Sequence, residues 1–174
     1  MLVGRTMTYC ENPECGAITN KKAYIIRGMV GSGKSTLAEI LCPNQHAVCS
    51  TDLFFINFDT GEYEFDPSLL PENHKSNLLR FTSCCEIGCS TVVCDNTNSQ
   101  FWEYEPYIKA ALNNGYEVVV MSIPWKAEDA PLYAERNTHG VPLEAIEAMM
   151  ERWEPTPITV IDVSAEIIIK GLKA

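Results

Sequence analysis

The feature that most limits the possible folds of this chain is a glycine-rich segment, Gly28-Met29-Val30-Gly31-Ser32-Gly33-Lys34-Ser35-Thr36. It has the spacing G-x-x-x-x-G-K-[ST] of a phosphate-binding loop. The apolar run Ala23-Tyr24-Ile25-Ile26 precedes it, and Leu37, Ile40 and Leu41 follow it at helical spacing. A strand, a glycine loop and a helix in that order predict an anion site made of backbone amides and a helix N-terminus.

We predict that this loop binds ATP together with Mg²⁺. Glycine permits backbone angles that a side chain would forbid, and it leaves the amides exposed. The Lys34 ammonium would reach the β and γ phosphates, and the Ser35 hydroxyl would be a ligand of Mg²⁺. The alternative is a chance match to the pattern, which the flanking strand and helix disfavour. The residues assigned to nucleotide binding are Gly28, Gly31, Ser32, Gly33, Lys34, Ser35 and Thr36.

Predicted strands and helices alternate along the rest of the chain. This pattern is typical of an α/β fold in which helices cover both faces of a parallel sheet. The length of 174 residues fits a single domain. We therefore predict an N-terminal extension at residues 1–20, which is polar and rich in turn formers, and one domain at residues 21–174. The predicted strands are 23–26, 47–50, 91–94, 116–123 and 158–163, and the predicted helices are 35–42, 69–88, 101–114, 127–136 and 143–154.

The chain is acidic, with 13 Lys and Arg against 23 Asp and Glu and a formal net charge of −10. Such a chain does not bind nucleic acid through a general basic field. Any contact with nucleic acid must therefore be local or limited to a strand end. The longest apolar runs, such as Val118–Met121, are far shorter than the ~18 residues of a membrane span, so we expect no membrane partner.

The eight cysteines are interpreted as reduced thiols. Residues 1–10 contain no apolar core of a signal peptide, so we expect a cytoplasmic protein. Cys10 and Cys15 enclose four residues and would be half of a zinc knuckle, but no second pair with zinc-finger spacing follows, and surface thiols are favoured. Four further cysteines lie in or beside apolar stretches, as reduced core thiols do, namely Cys84, Cys85, Cys89 and Cys94.

Two acidic residues follow predicted strands, at the edge where doubly wound sheets bind their ligands. Asp52 follows the second strand, where its carboxylate would face the loop and take the proton of an acceptor hydroxyl. The alternative is a helix N-cap for a segment that begins at Leu53. Asp95 ends the third strand and would hold Mg²⁺ through water. The alternative there is an Asx turn that caps the next helix.

A candidate cation lies further along the chain. Arg136 precedes the breaker Gly140-Val141-Pro142, and a helix beside such a breaker can close as a lid. An arginine there would stabilise the charge of a transferred phosphoryl group. The alternative is a surface ion pair with Glu135 or Glu151, which would contribute little.

Several other residues are assigned structural roles. Arg27 is interpreted as flanking the first strand, and Arg152 is a weaker second candidate for the cation. His74 is expected in a solvated or partly packed place. The aromatic set is more often packed against a long helix than used to stack an acceptor base, and it comprises Phe54, Phe55, Phe58, Tyr63 and Phe65.

Taken together, the ordered motifs resemble the P-loop kinase domain of the Nedd-binding-protein-like group, which is similar to the kinase domain of phage polynucleotide 5′-hydroxyl kinase. The resemblance covers roughly residues 22–154. It implies an adenylate-kinase-like, three-layer P-loop NTPase fold whose five-stranded parallel sheet has the order 2-3-1-4-5. The segments that carry it are 28–36, 50–52, 63–67, 95–98, Trp102 with Pro106-Tyr107, and 136–142.

The resemblance also implies roles for single residues. Lys34 and Ser35 would serve ATP and Mg²⁺, Asp52 would be the general base toward a 5′-hydroxyl, Arg136 would be a lid arginine, and Asp95 would order the metal or acceptor region. The chain departs from the family pattern at three positions. Leu53 replaces a second Asp, Phe55 stands where the phage enzyme has an arginine for the acceptor phosphate, and His139 lies near the place of a second lid arginine.

The function expected from the sequence is an ATP- and Mg²⁺-dependent phosphotransferase that acts on a hydroxyl, with a nucleic-acid 5′ end as the favoured acceptor. One alternative is a kinase of a small metabolite such as a nucleoside or sugar nucleotide. Another is an ATP-binding interaction module that transfers nothing. The oligomeric state is not indicated.

Overall fold

Helices and strands alternate through residues 21–157 and 161–162, the part of the chain that the computed structural model describes. The strands are β1 (Lys22–Arg27), β2 (Val48–Cys49), β3 (Thr91–Asp95), β4 (Glu117–Ser122) and β5 (Ile161–Asp162). The α-helices are α1 (Lys34–Leu41), α2 (Leu70–Glu86), α3 (Phe101–Asn113), α4 (Ala130–Arg136) and α5 (Leu143–Glu151), and 3₁₀ turns span Thr51–Phe55, Pro67–Leu69 and Ala127–Asp129. The predicted α/β class is confirmed.

The strands form one parallel sheet in the order β2-β3-β1-β4-β5. The central strand β1 lies between β3 and β4, with Ile25 opposite Cys94 and Val120. Connections between parallel strands are right-handed, so α1 covers the opposite face of the sheet from α2 and α3. The last two helices contact each other. Every strand therefore ends at the same edge, where the connecting loops meet.

The core consists of apolar side chains from both faces of the sheet. Ile25 and Ile26 of β1 and Val92 and Val93 of β3 are fully buried, as expected for a parallel sheet whose strands are continuous apolar runs. The predicted core thiols Cys84, Cys85, Cys89 and Cys94 are buried, as are Cys42 and Cys49.

Some predicted boundaries differ from the structure. The helix predicted at 127–136 begins as a 3₁₀ turn, and the helix predicted to end at 154 ends at Glu151. Cys10, Cys15 and the predicted extension 1–20 lie outside the described residues, as do 158–160 and 163 of the last predicted strand. The domain boundary after residue 20 therefore stays a prediction. None of the described helices is long and apolar enough to cross a membrane.

The aromatic connection after β2 is a small hairpin arm. Ile56 and Tyr63 form an antiparallel bridge around a turn at residues 58–60. The Asn57 side chain accepts hydrogen bonds from the amides of Asp59 and Thr60 and so stabilises this turn. The arm places Tyr63 beside the 3₁₀ turn that follows β2.

Arg27, the last residue of β1, is a buried anchor and not merely a flanking residue. Its side chain donates to the carbonyls of Asn98, Ser99 and Glu154 at 2.8, 3.1 and 2.8 Å. Its guanidinium also lies 4.9 Å from the ring centroid of Tyr104, and it is stacked in the same way on the ring of Trp153. One buried cation thus joins the end of β1 to the loop after β3 and to the segment after α5.

The substitution Arg27→Ala is expected to lower the free energy of unfolding by about 3 kcal/mol, because it leaves three buried carbonyls without their donor. Urea unfolding followed by circular dichroism measures this loss. The matched control is Lys109→Ala, which removes an exposed ion pair with Glu105 on α3 and should cost only about 0.5 kcal/mol. Equal losses in the two variants would contradict the anchor role of Arg27.

Candidate nucleotide and acceptor site

A cavity of about 750 Å³ lies at the edge of the sheet where β1, β2 and β3 end. It is bounded by the glycine loop, by the turn after β2, by the loop after β3 and by residues 136–142 after α4. Gly28 lies outside the lining, where a Cβ would come within 2.7 Å of Ser32 Oγ. The predicted site residues that do line the cavity are Gly31, Ser32, Gly33, Lys34, Ser35, Thr36, Asp52, Asp95 and Arg136.

The glycine loop has the backbone of an anion-binding turn. Gly31 and Gly33 have φ of +76° and +97°, in the left-handed region that favours glycine. No side chain caps the N-terminus of α1 at Gly33, so the first amides of the helix are free to bind an anion. A Cβ on Gly31 would lie 2.4 Å from the carbonyl oxygen of Tyr133, so the loop and α4 meet where only glycine fits.

Lys34 is the cation at the floor of this cavity. Its Nζ donates to the carbonyl of Met29 at 3.0 Å. Burial lowers the pKa of Lys34, while the charges of Asp95 and Asp52 oppose that change. The lysine is therefore placed where its charge acts on both predicted carboxylates.

Asp95 is a buried carboxylate with a free oxygen. The residue is 5% exposed, and its Oδ1 has no hydrogen-bond partner among the described residues. Burial raises the pKa of Asp95, opposed by the charge of Lys34 and by a hydrogen bond from Ser35. The Asx-turn alternative is wrong, because α3 begins after Gln100, whose amide donates to Glu103.

A free carboxylate oxygen beside a serine hydroxyl fits Mg²⁺. This ion takes oxygen ligands and is usually held by one or two protein groups together with phosphate oxygens and water. Ser35 and Asp95 would be those groups. Within the described ranges, no group of three or more His, Cys, Asp or Glu side chains is placed to hold a metal ion.

Asp52 lies in the 3₁₀ turn that follows β2. The turn is capped by Ser50, whose Oγ accepts from the amide of Asp52 at 3.4 Å, so the interpretation of Asp52 as the cap is wrong. The amide of Thr51 donates to Asn96 Oδ1 at 2.9 Å and ties the turn to the loop after β3. The Asp52 carboxylate is half exposed and faces the cavity.

Two side chains that the sequence did not assign to the site contact this carboxylate. The hydroxyl of Tyr63 donates to Asp52 Oδ1 at 3.1 Å, and Nε2 of His139 lies 3.7 Å from Oδ2. His74 also lines the cavity, with Nδ1 3.1 Å from the hydroxyl of Thr51. The sequence signal of Tyr63 and His139 is weak. A tyrosine in an aromatic run, or a histidine beside a helix breaker, usually has only a packing role.

A buried network of polar side chains stabilises the 3₁₀ turn that contains Asp52. Asn96 and Asn77 both donate to the hydroxyl of Tyr107, at 3.4 and 3.1 Å, and Asn77 also donates to the carbonyl of Cys49. Burial raises the pKa of Tyr107 and keeps its hydroxyl neutral. An asparagine within a helical pattern usually indicates a solvated face. The burial of Asn77 in this network could therefore not be predicted from the sequence.

Residues 130–151 form a lid-like pair of helices over the loop. Met29 of the loop packs with apolar side chains of α4 and α5, including Tyr133 and Ile146. Arg136, at the end of α4, is exposed to the cavity, and no described ion pair joins it to Glu135 or Glu151 as the alternative proposed. Arg152 lines the same cavity and donates to the hydroxyl of Ser99 at 3.3 Å.

The segment 137–142, here called the lid loop, is held in shape by Asn137. The Asn137 side chain donates to the carbonyls of Ala134 and Val141 at 2.7 and 3.1 Å and accepts from the amide of Val141 at 2.7 Å. These hydrogen bonds fix the backbone of the lid loop, and His139 on this loop lines the cavity.

The parallel sheet, the glycine loop and the lid helices define a P-loop kinase domain. No protein-family model matches the chain. Human NEDD4-binding protein 2 is 35% identical over 155 residues, which cover 83% of this chain and 8% of that protein. The chain belongs to the NEDD4-binding-protein-2-like group of P-loop kinase domains, as the resemblance predicted, although it spans less than a tenth of the length of that relative.

Solved structures show the same fold. A gluconokinase from Sinorhizobium meliloti 1021 aligns with a TM-score of 0.58 and 16% identity over 87% of this chain and 90% of its own. A chain in the Pnkp1/Rnl/Hen1 RNA repair complex aligns with a TM-score of 0.58 and 15% identity over 81% of this chain and 46% of its own. Both similarities concern the fold alone.

The substitution Gly31→Ala is expected to weaken ATP binding at least tenfold, because the added Cβ would displace either the loop or α4. Titration calorimetry with ATP and Mg²⁺ measures the dissociation constant. Gly115→Ala is the matched control, since Gly115 has a similar φ of +75° but no atom within 4 Å of an added Cβ. The control should lose about 1 kcal/mol of stability and keep its ATP affinity. Unchanged ATP affinity in Gly31→Ala would contradict this account of the loop.

Proposed function

We propose that this domain is an ATP- and Mg²⁺-dependent kinase that transfers the γ-phosphoryl group to a hydroxyl, with a polynucleotide 5′-hydroxyl as its acceptor. One observation carries the proposal. The Asp52 carboxylate shares a cavity with the glycine loop, and the charge of Lys34 acts on it. A base and a phosphate-binding loop on one cavity are the arrangement that phosphoryl transfer to an alcohol requires.

On the nucleotide side, the loop amides and the N-terminus of α1 hold the β and γ phosphates. Lys34 exchanges its contact with the Met29 carbonyl for the phosphate oxygens. Ser35 and Asp95 would hold Mg²⁺, which would neutralise phosphate charge. Arg136 approaches from the lid side and stabilises the negative charge of the transferring group.

On the acceptor side, Asp52 takes the proton of the attacking hydroxyl. The acceptor oxygen forms a bond to the γ-phosphorus, and the bond between that phosphorus and the β–γ bridging oxygen breaks. The electron pair of the broken bond leaves with ADP. Asp52 is thus the general base of the reaction, and the proton stays on its carboxylate until solvent removes it.

One observation supports a polynucleotide acceptor. Aromatic rings line the acceptor side of the cavity, where Tyr63, His139 and the 53% exposed Phe65 offer surfaces on which a base can stack. Phe55, by contrast, is buried and packs against the rings of Tyr63 and Phe65.

One observation favours a small hydroxyl-bearing metabolite as a second candidate. The cavity wall formed by residues 51–74 has no Lys or Arg among the described residues that line it. A nucleic-acid backbone usually needs such cations. We also propose that the protein works in a reducing compartment such as the cytoplasm. The proposal is supported by five free thiols in the core, namely Cys42, Cys49, Cys84, Cys85 and Cys94.

The substitution Asp52→Asn is expected to lower the transfer rate at least ~100-fold, because the amide cannot accept the proton. The measurement is transfer of labelled γ-phosphate from ATP to a 5′-hydroxyl oligonucleotide, with ATP affinity measured in parallel. ATP affinity should stay within a few fold. Asp59→Asn, in the exposed turn of the hairpin arm, is the matched control and should transfer at the wild-type rate. A fully active Asp52→Asn variant would refute the general-base mechanism.

The acceptor is identified by comparing a 5′-hydroxyl oligonucleotide with nucleosides and sugars at two salt concentrations. We expect the oligonucleotide to be phosphorylated, and we expect its KM to rise only a few fold between 50 and about 200 mM salt, because the acceptor wall lacks basic residues. Transfer to a small molecule alone would establish the second candidate. ATP binding without transfer to any hydroxyl would leave a nucleotide-binding module.

A further inference from the structure

The side chains of Tyr63 and His139, from two separate segments, both approach the carboxylate of Asp52. Asp52 belongs to the turn after β2, Tyr63 to the hairpin arm and His139 to the lid loop. Tyr63 donates to Asp52 Oδ1 at 3.1 Å, and His139 Nε2 lies 3.7 Å from Oδ2. The rings of Tyr63 and His139 are themselves stacked, with their centroids 4.3 Å apart and their planes inclined by 37°.

Tyr63 is a well-fixed donor. Its ring packs edge-on against the buried ring of Phe55 at 5.9 Å, and its backbone is held by the bridge to Ile56. Burial and the charge of Asp52 raise the pKa of Tyr63, so its hydroxyl keeps the proton that it donates. Since a half-exposed aspartate can otherwise turn about its side-chain bonds, this donor fixes the plane of the Asp52 carboxylate.

His139 brings the lid loop to the same group. The separation of 3.7 Å between Nε2 and Oδ2 exceeds a hydrogen bond, and an approach of about 1 Å would form one. The stacked Tyr63 ring limits the directions from which His139 can approach. A movement of the lid loop would therefore act on the Asp52 carboxylate through His139.

We infer that Tyr63 and His139 are positioning residues for Asp52, and that His139 makes the alignment of this carboxylate depend on the lid loop. The inference rests on the proposed function, in which Asp52 is the general base. Tyr63 occupies one lone pair of Oδ1, so the other lone pairs of the carboxylate stay available to the acceptor hydroxyl. The Asp52 carboxylate is then fully aligned with the acceptor hydroxyl only when the lid loop lies over the bound nucleotide.

Transfer kinetics with ATP and a 5′-hydroxyl oligonucleotide test the positioning role. Tyr63→Phe keeps the ring and removes the donor, and it should lower kcat five- to tenfold while the KM for ATP stays within twofold. His139→Phe keeps the stack and removes the nitrogen, and it should lower kcat about threefold. In an Asp52→Asn background neither change should cause a further loss, because both act through Asp52. The matched controls outside the cavity are Tyr24→Phe and His46→Phe, which should keep the wild-type kcat.

Hydrogen exchange measured by mass spectrometry tests the lid contact without any acceptor. His139→Ala removes both the stack and the nitrogen, and the amides of residues 138–140 should exchange several-fold faster, while those of α5 stay unchanged. Exchange at the wild-type rate in this variant would overturn the role of His139 in holding the lid loop.

The outcomes separate this inference from the proposed function. Wild-type kcat in Tyr63→Phe, together with an inactive Asp52→Asn, would overturn the positioning role and leave the base assignment intact. Activity retained in Asp52→Asn would refute the proposed function, and with it the role of Tyr63 and His139 in catalysis. If the wild-type protein phosphorylates no oligonucleotide, the inference fails for that acceptor.

Discussion

The site depends on the parallel pairing of β1 with β3, which brings the glycine loop and Asp95 out at the same edge of the sheet. In this register Ile26 lies opposite Asp95. Reciprocal hydrogen bonds fix the two strand ends, because Arg27 donates to the carbonyl of Asn98 while the Asn98 side chain donates to the carbonyl of Ile26 at 2.7 Å. The amide of Gly28 also donates to the Thr97 carbonyl. These hydrogen bonds hold the glycine loop and the loop after β3 in a fixed arrangement, so the backbone sets the distances between the candidate site residues.

A chain with a net charge of −10 can hold a nucleotide because its attraction for phosphate is local. Backbone amides and a helix N-terminus supply positive potential without adding a charged residue. Lys34, Arg136 and Arg152 add three positive charges that line the cavity itself. The carboxylates of Asp52 and Asp95 offset part of the Lys34 charge. Under the proposed function, a bound cation would complete the neutralisation of the triphosphate.

Features that depend on residues close together in the sequence could be predicted, and contacts between distant segments could not. The glycine loop is a local motif, and Asp52 and Asp95 follow buried strands. Their placement at one edge was predictable because all strands of a parallel sheet end at the same edge. The contacts of Tyr63 and His139 with Asp52 join segments that meet only in the folded chain, and so does the anchoring of Arg27. The alternative in which Asp52 caps a helix was wrong, because Ser50 caps the turn. Ser and Asp are both favoured capping residues, and only the backbone of the turn distinguishes them.

The same long-range contacts bear on how an acceptor is recognised. Phe55 is buried against Tyr63 and Phe65, with ring centroids 5.9 and 5.0 Å away, so the acceptor wall is built from aromatic packing and not from basic side chains. Stacking of one base on such a wall contributes about 1–3 kcal/mol and is little affected by salt. A wall of this kind favours an acceptor with a flat, unpaired base or ring next to its hydroxyl. Tyr63 belongs both to this wall and to the hydrogen bond of Asp52. Under the proposed function, acceptor binding and alignment of the Asp52 carboxylate would therefore act on the same side chain.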